Sequence, residues 1–227
     1  LGLRPRYLAG HSYGELVALH VGGAYDEATL WTLSRVRGEA MKSDGQTDRG
    51  TMAAVRGKLA QVEELVADVE GVVLANKNHP TQAVLAGTRQ GIQQALEVVA
   101  AAGLTGTEIP VSAAFHSPLV ADAREPLAAA LDEADVRAPS TPVRSNVTAN
   151  VYPSDPAEVC RLLADQIVSG VDWVGVVQGM IDEGIRTFVE CGPKSVLSGL
   201  VKRCTKGIDG VEIIGLDDAR TDGDVLL

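Results

Sequence analysis

No apolar run in this chain approaches the ~18 residues needed to cross a bilayer, and no secretory signal pattern is recognisable. Both absences set the expectation of a cytoplasmic protein. Cysteine is sparse: Cys160, Cys191 and Cys204 make an odd number with no metal-ligand spacing, which reads as reduced thiols. Neither a disulfide framework nor a metal site is expected. Basic residues are the minority, 20 against 30 acidic ones, for a net charge of −10. That balance argues against nucleic acid and anionic membrane as partners, though it leaves room for a local phosphate-binding patch. Internal repeats and low-complexity segments are absent too. What is present is a composition 45% apolar and 22% charged over 227 residues, enough to bury a real core. The chain opens on Leu1 rather than Met, almost on top of its first strand, the expectation for a piece of something longer.

Periodicity and breakers predict an α/β order. Tyr7-Leu8-Ala9 is a short strand, Glu15 to Val21 a helix ended by Gly22-Gly23, and Asp26 the N-cap of a second helix running to about Met41. Gly45 to Gly50 reads as a linker. Then follow a strand (Thr51–Val55), a helix (Leu59–Val69), two strands (Val72–Asn76 and Gln82–Ala86), a helix (Ile92–Ala102) and a strand (Thr107–Val111). This β-α-β-β-α-β order is that of ferredoxin-like domains. Beyond it, Asp155-Pro156 starts a helix with Val159, Leu162, Leu163 and Ile167 on one face. The next helix carries Val174, Val177 and Ile181 in the same way. Ile185–Cys191 is a strand broken by Gly192-Pro193, Val196–Val201 a helix, and Val211–Leu216 a last strand. The fold class expected is therefore α/β: an α/β-hydrolase-like large subdomain (1–47 and 114–227, its N-terminal part missing) carrying an inserted ferredoxin-like small subdomain (48–113). A cleft between the two is a common place for a site.

Chemistry concentrates in Gly10-His11-Ser12-Tyr13-Gly14, a Gly-x-Ser-x-Gly between strand and helix. In such an elbow the glycines permit a turn tight enough to lift the serine Oγ clear of the sheet, and the helix N-terminus offers N–H groups to a developing oxyanion. A serine nucleophile needs a base. Of the four histidines, His11 lies within the turn, His20 far along the helix and His79 in a hairpin connection. His116, in Val111-Ser112-Ala113-Ala114-Phe115-His116-Ser117-Pro118, falls where the chain returns from the small subdomain past the cleft, so it is the candidate base. Arg37 is out of place: Leu30, Leu33, Arg37 and Met41 step along one helical face, setting a guanidinium in an apolar stripe. It either pairs with an internal carboxylate, snorkels to water, or binds a substrate carboxylate through its planar fork. No aspartate stands out to orient His116; Asp122, Asp132 and Asp135 all read as solvated charges.

These stretches together resemble the malonyl-CoA:acyl carrier protein acyltransferases, in particular acyltransferase domains of type I polyketide synthases. The resemblance rests on Gly10-His11-Ser12-Tyr13-Gly14-Glu15, Arg35-Val36-Arg37-Gly38 with Met41, Ala113 to Leu119, and Glu190-Cys191-Gly192-Pro193 followed by Val196-Leu197. Asn76 to Gly87, with Asn78 and Pro80, resembles the family's small-subdomain hairpin, so nearly the whole chain is covered. The combination points to iterative synthases of the enediyne or polyunsaturated fatty acid kind, dynemicin-type enediyne synthases among them.

The resemblance implies Ser12 as nucleophile, His116 as general base, Arg37 as the holder of the malonyl carboxylate and the Tyr13 N–H as one oxyanion donor. It implies that the backbone carbonyl of Gln166 orients His116, which would account for the missing aspartate. Phe115 would disfavour an α-methyl branch and so set malonyl over methylmalonyl, although Ala113 stands where malonyl-selective domains often carry histidine. The second oxyanion donor would come from a Gly- and Gln-rich loop before the elbow, which this sequence lacks. Malonyl-CoA, an acyl carrier protein domain and neighbouring synthase domains are the implied partners, with malonyl-CoA as substrate and no bound cofactor. Two other functions stay open at this point. A serine hydrolase or thioesterase would share the elbow but place its histidine near the C-terminus after an Asp or Glu. An inactive carrier-docking domain would share the fold alone.

Overall fold

The computed structural model describes residues 4–42 and 48–217. The linker expected from Gly45 lies outside the described residues as far as Thr47, and so does the first subdomain boundary at residue 47. Among the described residues no helix is long and apolar enough to cross a membrane.

The chain begins with a two-residue strand, β1 (Leu8–Ala9), which turns sharply into α1 (Gly14–Val21). Leu16 and Leu19 of α1 are fully buried. Helix α2 (Glu27–Ala40) starts where Asp26 predicts, its carboxylate accepting the Thr29 N–H at 2.8 Å, and buries Leu30, Leu33 and Arg37. The stripe inferred from the spacing is thus the face turned inward.

The βαββαβ unit follows: β2 (Thr51–Arg56), α3 (Leu59–Val66), β3 (Val72–His79), β4 (Gln82–Gly87), α4 (Arg89–Ala101) and β5 (Thr105–Ile109). Its strands form one antiparallel sheet in the order β3-β4-β2-β5, the ferredoxin-like arrangement expected. Alternation along β2 explains its two faces. Ala53 and Val55 pack with Val62 and Val66 of α3 and Ile92, Ala95 and Val99 of α4. Met52 points the other way, into a cluster with Ala75, Val84, Ala86 and Ala114 that Phe115 also joins. Helix α3 stops at Val66, three residues earlier than periodicity suggests, and Gly71 at φ +72° then turns the chain into β3.

A 3₁₀ turn (Pro118–Ala123) then leads into α5 (Arg124–Asp132), β6 (Val143–Arg144), α6 (Pro156–Asp165), α7 (Trp173–Asp182), β7 (Thr187–Glu190), α8 (Val196–Cys204) and β8 (Glu212–Gly215). β1 pairs in parallel with β6, Leu8 opposite Val143, and β7 pairs in parallel with β8. The main core joins Leu16 and Leu19 to Leu33, Leu127, Leu131, Val159, Leu163 and Ile167. Asp155 caps α6 with Pro156 at its first position, and the predicted face of Val159, Leu162, Leu163 and Ile167 is buried. On α7 the expectation needs adjusting. Val174 sits at the edge, and the buried face is Trp173, Val176, Val177, Met180 and Ile181. Helix α5 and strand β6 had no counterpart in the sequence reading.

The two parts are joined beside the elbow by main-chain pairing. Lys77 N–H donates to the Val171 carbonyl and Val171 N–H to the Ala75 carbonyl, both at 2.8 Å.

Candidate active site

Ser12 occupies the turn between β1 and α1 with φ +54°, a left-handed conformation in which a non-glycine residue is strained. The turn closes because Gly10 has no side chain: a Cβ there would run into the Gly14 carbonyl. His11 and Ser12 carbonyls then accept the Gly14 and Glu15 N–H groups at 3.0 Å, which starts α1 directly behind the hydroxyl. The Tyr13 N–H, at the head of this helix, has no hydrogen-bond partner among the described residues. Its side-chain hydroxyl lies 2.9 Å from Ser34 Oγ.

His116 also sits at positive φ, +60°, and is almost fully buried. Its Nε2 is 2.7 Å from Ser12 Oγ. Its Nδ1 faces two main-chain carbonyls, Gln166 at 3.0 Å and Ser169 at 3.2 Å. A carbonyl can only accept, so Nδ1 carries the proton and Nε2 is left to accept the serine hydroxyl. Burial pulls the His116 pKa down to about 4, with the Arg37 and His11 charges helping, while the carbonyl bonds oppose the shift. The imidazole is therefore neutral at ordinary pH, as a proton acceptor must be. Among the described residues no carboxylate contacts it; Asp122 and Asp135 pair with Arg49 and Arg137.

Arg37 reaches the same point from α2. Its Nη2 is 3.4 Å from Ser12 Oγ, and its guanidinium lies 5.9 Å from the Tyr13 ring centre. It is 8% exposed, makes no ion pair among the described residues, and its buried Nε lacks a partner. Burial lowers its pKa, yet an arginine stays charged. Among the described residues no carboxylate pairs with Arg37, and its burial leaves no room for the guanidinium to snorkel into water. The carboxylate of Glu15 acts on Arg37 only through space and already accepts from Tyr152, Gln166 and Asn146.

Ser12, His116 and Arg37 line a cavity of about 410 Å³ with His11, Gly38, Met41, Met52, Asn76 and Phe115. His11 Nε2 is 2.8 Å from Asn78 Oδ1, and its ring meets Trp173 edge-on with centroids 5.6 Å apart. His20 instead binds the Tyr25 carbonyl, and His79 lies near Thr81; neither lines the cavity. Among the described residues no three His, Cys, Asp or Glu side chains gather in a way that could hold a metal.

Several residues beneath the elbow were not anticipated as parts of the site. Asn146 Oδ1 accepts the Ser12 N–H at 2.7 Å, while its Nδ2 donates to the Gly10 carbonyl at 2.8 Å. The Gln166 side chain, beyond its backbone role, donates to the Ser12 carbonyl at 2.7 Å and to Glu15 Oε2 at 2.9 Å. Glu15, fully buried, also accepts from Tyr152 Oη at 2.5 Å and from the Asn146 N–H. Burial pushes its pKa up to about 7 against these donors. An uninterrupted Gly-x-Ser-x-Gly-Glu was visible in the sequence, but a glutamate in a first helical turn ordinarily reads as a solvated charge favoured by the helix dipole.

Comparison with known proteins matches this arrangement to one family. The profile of the acyl transferase domain aligns with residues 1–223. A malonyl CoA-acyl carrier protein transacylase of Bacillus subtilis is 37% identical over 218 residues, covering 93% of this chain and 68% of that protein. The crystal structure of a malonyl-CoA:acyl carrier protein transacylase from Xanthomonas oryzae superposes with TM-score 0.90 at 35% identity, over 99% of this chain and 72% of that one. The acyltransferase domain of an iterative polyketide synthase in enediyne biosynthesis gives TM-score 0.84 at 36% identity, over 96% of this chain and 56% of that one. With the elbow, the paired histidine and the fold in agreement, the chain belongs to the acyl transferase domain family.

Proposed function

We propose that this chain moves a malonyl group from malonyl-CoA to the phosphopantetheine thiol of an acyl carrier protein, through an ester on Ser12. The observation that carries this reading is Arg37: a buried guanidinium, without an anionic partner among the described residues, held 3.4 Å from the hydroxyl. An unpaired buried charge is expensive to keep, and an acyl group bearing its own carboxylate would pair it. In this reading His116 Nε2 takes the Ser12 proton as Oγ attacks the thioester carbonyl, and the Tyr13 N–H donates to the oxyanion. Coenzyme A leaves with that proton. The carrier thiol then gives its proton to His116 and attacks the ester, which restores Ser12. The Gln166 carbonyl keeps the imidazole in the required tautomer, and Phe115, beside His116 on the cavity wall, leaves little room for an α-methyl branch. No step calls for a bound cofactor.

The setting we propose is an iterative polyketide synthase in the cytoplasm, where neighbouring domains hold the carrier. Identity is 36% to the enediyne synthase domain and 37% to the Bacillus transacylase, so carrier preference must decide between this setting and fatty acid synthesis. Intact mass after incubation with malonyl-CoA tests the core of the reading. The wild-type chain gains one malonyl group, Ser12→Ala gains none, and added carrier protein removes the group as malonyl-carrier. A mutant that still loads, or release of free malonate regardless of carrier, overturns it.

A further inference from the structure

We infer that Gln166 and Glu15 are positioning residues that hold the nucleophile and its base in register. The inference rests on the roles of Ser12 and His116 proposed above. Gln166 is fully buried at the end of α6 and touches both partners through different groups. Its backbone carbonyl faces His116 Nδ1 at 3.0 Å, while its side-chain amide donates to the Ser12 carbonyl at 2.7 Å. Any displacement of this residue therefore moves both ends of the 2.7 Å contact between Oγ and Nε2.

Glu15 fixes the amide. The two hydrogens of Gln166 Nε2 are divided between Ser12 O and Glu15 Oε2, so the amide cannot flip without losing both. The carboxylate also accepts from Tyr152 O–H and the Asn146 N–H. Asn146 in turn accepts the Ser12 N–H. Both main-chain polar groups of the nucleophile are thus held by side chains whose residues bond to one buried carboxylate. A core that needed only stability would be served as well by apolar side chains of this size. What the polar network adds is a fixed direction for a residue at φ +54°.

The test compares Glu15→Gln and Gln166→Met with wild type by time-resolved intact mass, each rate divided by the amount of serine that can be acylated in that preparation. Glu15→Gln keeps the shape but replaces one accepting oxygen with an NH₂, so the bonds from Gln166 Nε2, Tyr152 O–H and the Asn146 N–H cannot all be kept. Gln166→Met keeps the backbone carbonyl and deletes only the amide. Both are expected to slow malonylation per reactive serine about 10- to 100-fold, the scale on which misplacement by about an ångström acts. KM for malonyl-CoA should stay within about twofold, since Arg37 is untouched. A merely structural role would lower the amount of reactive serine and leave the rate per serine unchanged, and that result would overturn the inference. If Glu15→Gln does not fold, Gln166→Met carries the test alone. A wild-type chain that takes up no malonyl group would instead refute the proposed function, which separates the two failures.

Discussion

His116 Nε2 and Ser12 Oγ lie 2.7 Å apart, and both residues hold left-handed backbone conformations to meet there. Two non-glycine residues at positive φ in one contact mark a place where the fold gives up local comfort to aim side chains.

The buried imidazole sets a pH dependence. His116 has its pKa lowered to about 4, so it stays neutral through the range in which a free histidine protonates. The acid limb of kcat/KM for malonyl transfer should accordingly fall well below 6.5. Arg37 contributes to the lowering, and its pairing with a malonyl carboxylate would relieve part of it, so the limb in kcat should lie above that in kcat/KM. Stability follows the same group: between about 6.5 and 4 the unfolded chain binds a proton that the native state refuses. Native stability from this group therefore falls as pH drops through that window, and His116→Asn should gain melting temperature relative to wild type on acidification.

In the proposed reading Arg37 trades stability for recognition. Arg37→Ala should lower kcat/KM for malonyl-CoA about 10- to 100-fold, the worth of charge-assisted hydrogen bonds of ~1.5–3 kcal/mol. Its preference over acetyl-CoA should collapse, and unchanged selectivity would remove the carboxylate-binding role. Arg37→Met, which deletes the unpaired buried charge and keeps an apolar stem, should melt at a higher temperature than wild type while losing the same activity.

Phe115 lines the cavity beside His116 and packs against the Met52 cluster. Phe115→Leu should raise the relative use of methylmalonyl-CoA by about tenfold, within the ~1–3 kcal/mol that one methyl group can be worth. Competition between the two thioesters, read by mass on the acylated protein, checks it.

Gly10→Ala should fail at the fold. The added methyl would collide with backbone rather than with a movable side chain, so a loss of about 3 kcal/mol or more is expected. Thermal melting of the soluble fraction measures it.

The legible parts of this structure were those written locally. Asp26 announced the start of α2, the strand and helix spacing announced the βαββαβ unit, and the step from Leu33 to Arg37 announced a buried guanidinium. Strand β6 escaped because two residues carry no periodicity, and Val174 was misplaced because Trp173, Val176 and Met180 define the buried face of α7 better than valines alone. The contact between Ser12 and His116 spans 104 positions, so chain order could nominate the pair but not its geometry. Gln166 entered through resemblance, and only for its backbone. Its amide, Glu15 and Asn146 act through bonds spanning more than 130 residues, which no local pattern encodes.

The backbone pairing of Ala75 and Lys77 with Val171 bears on how the site is used. Separating the two parts at this seam would break two main-chain hydrogen bonds at every turnover, a cost that exchange of substrates through an already open cleft avoids. In the proposed reading, protection of the ester from water then falls to the fit of the acyl group in the cavity rather than to closure of the two parts, and the dwell time of the loaded serine becomes a property of the cavity's shape.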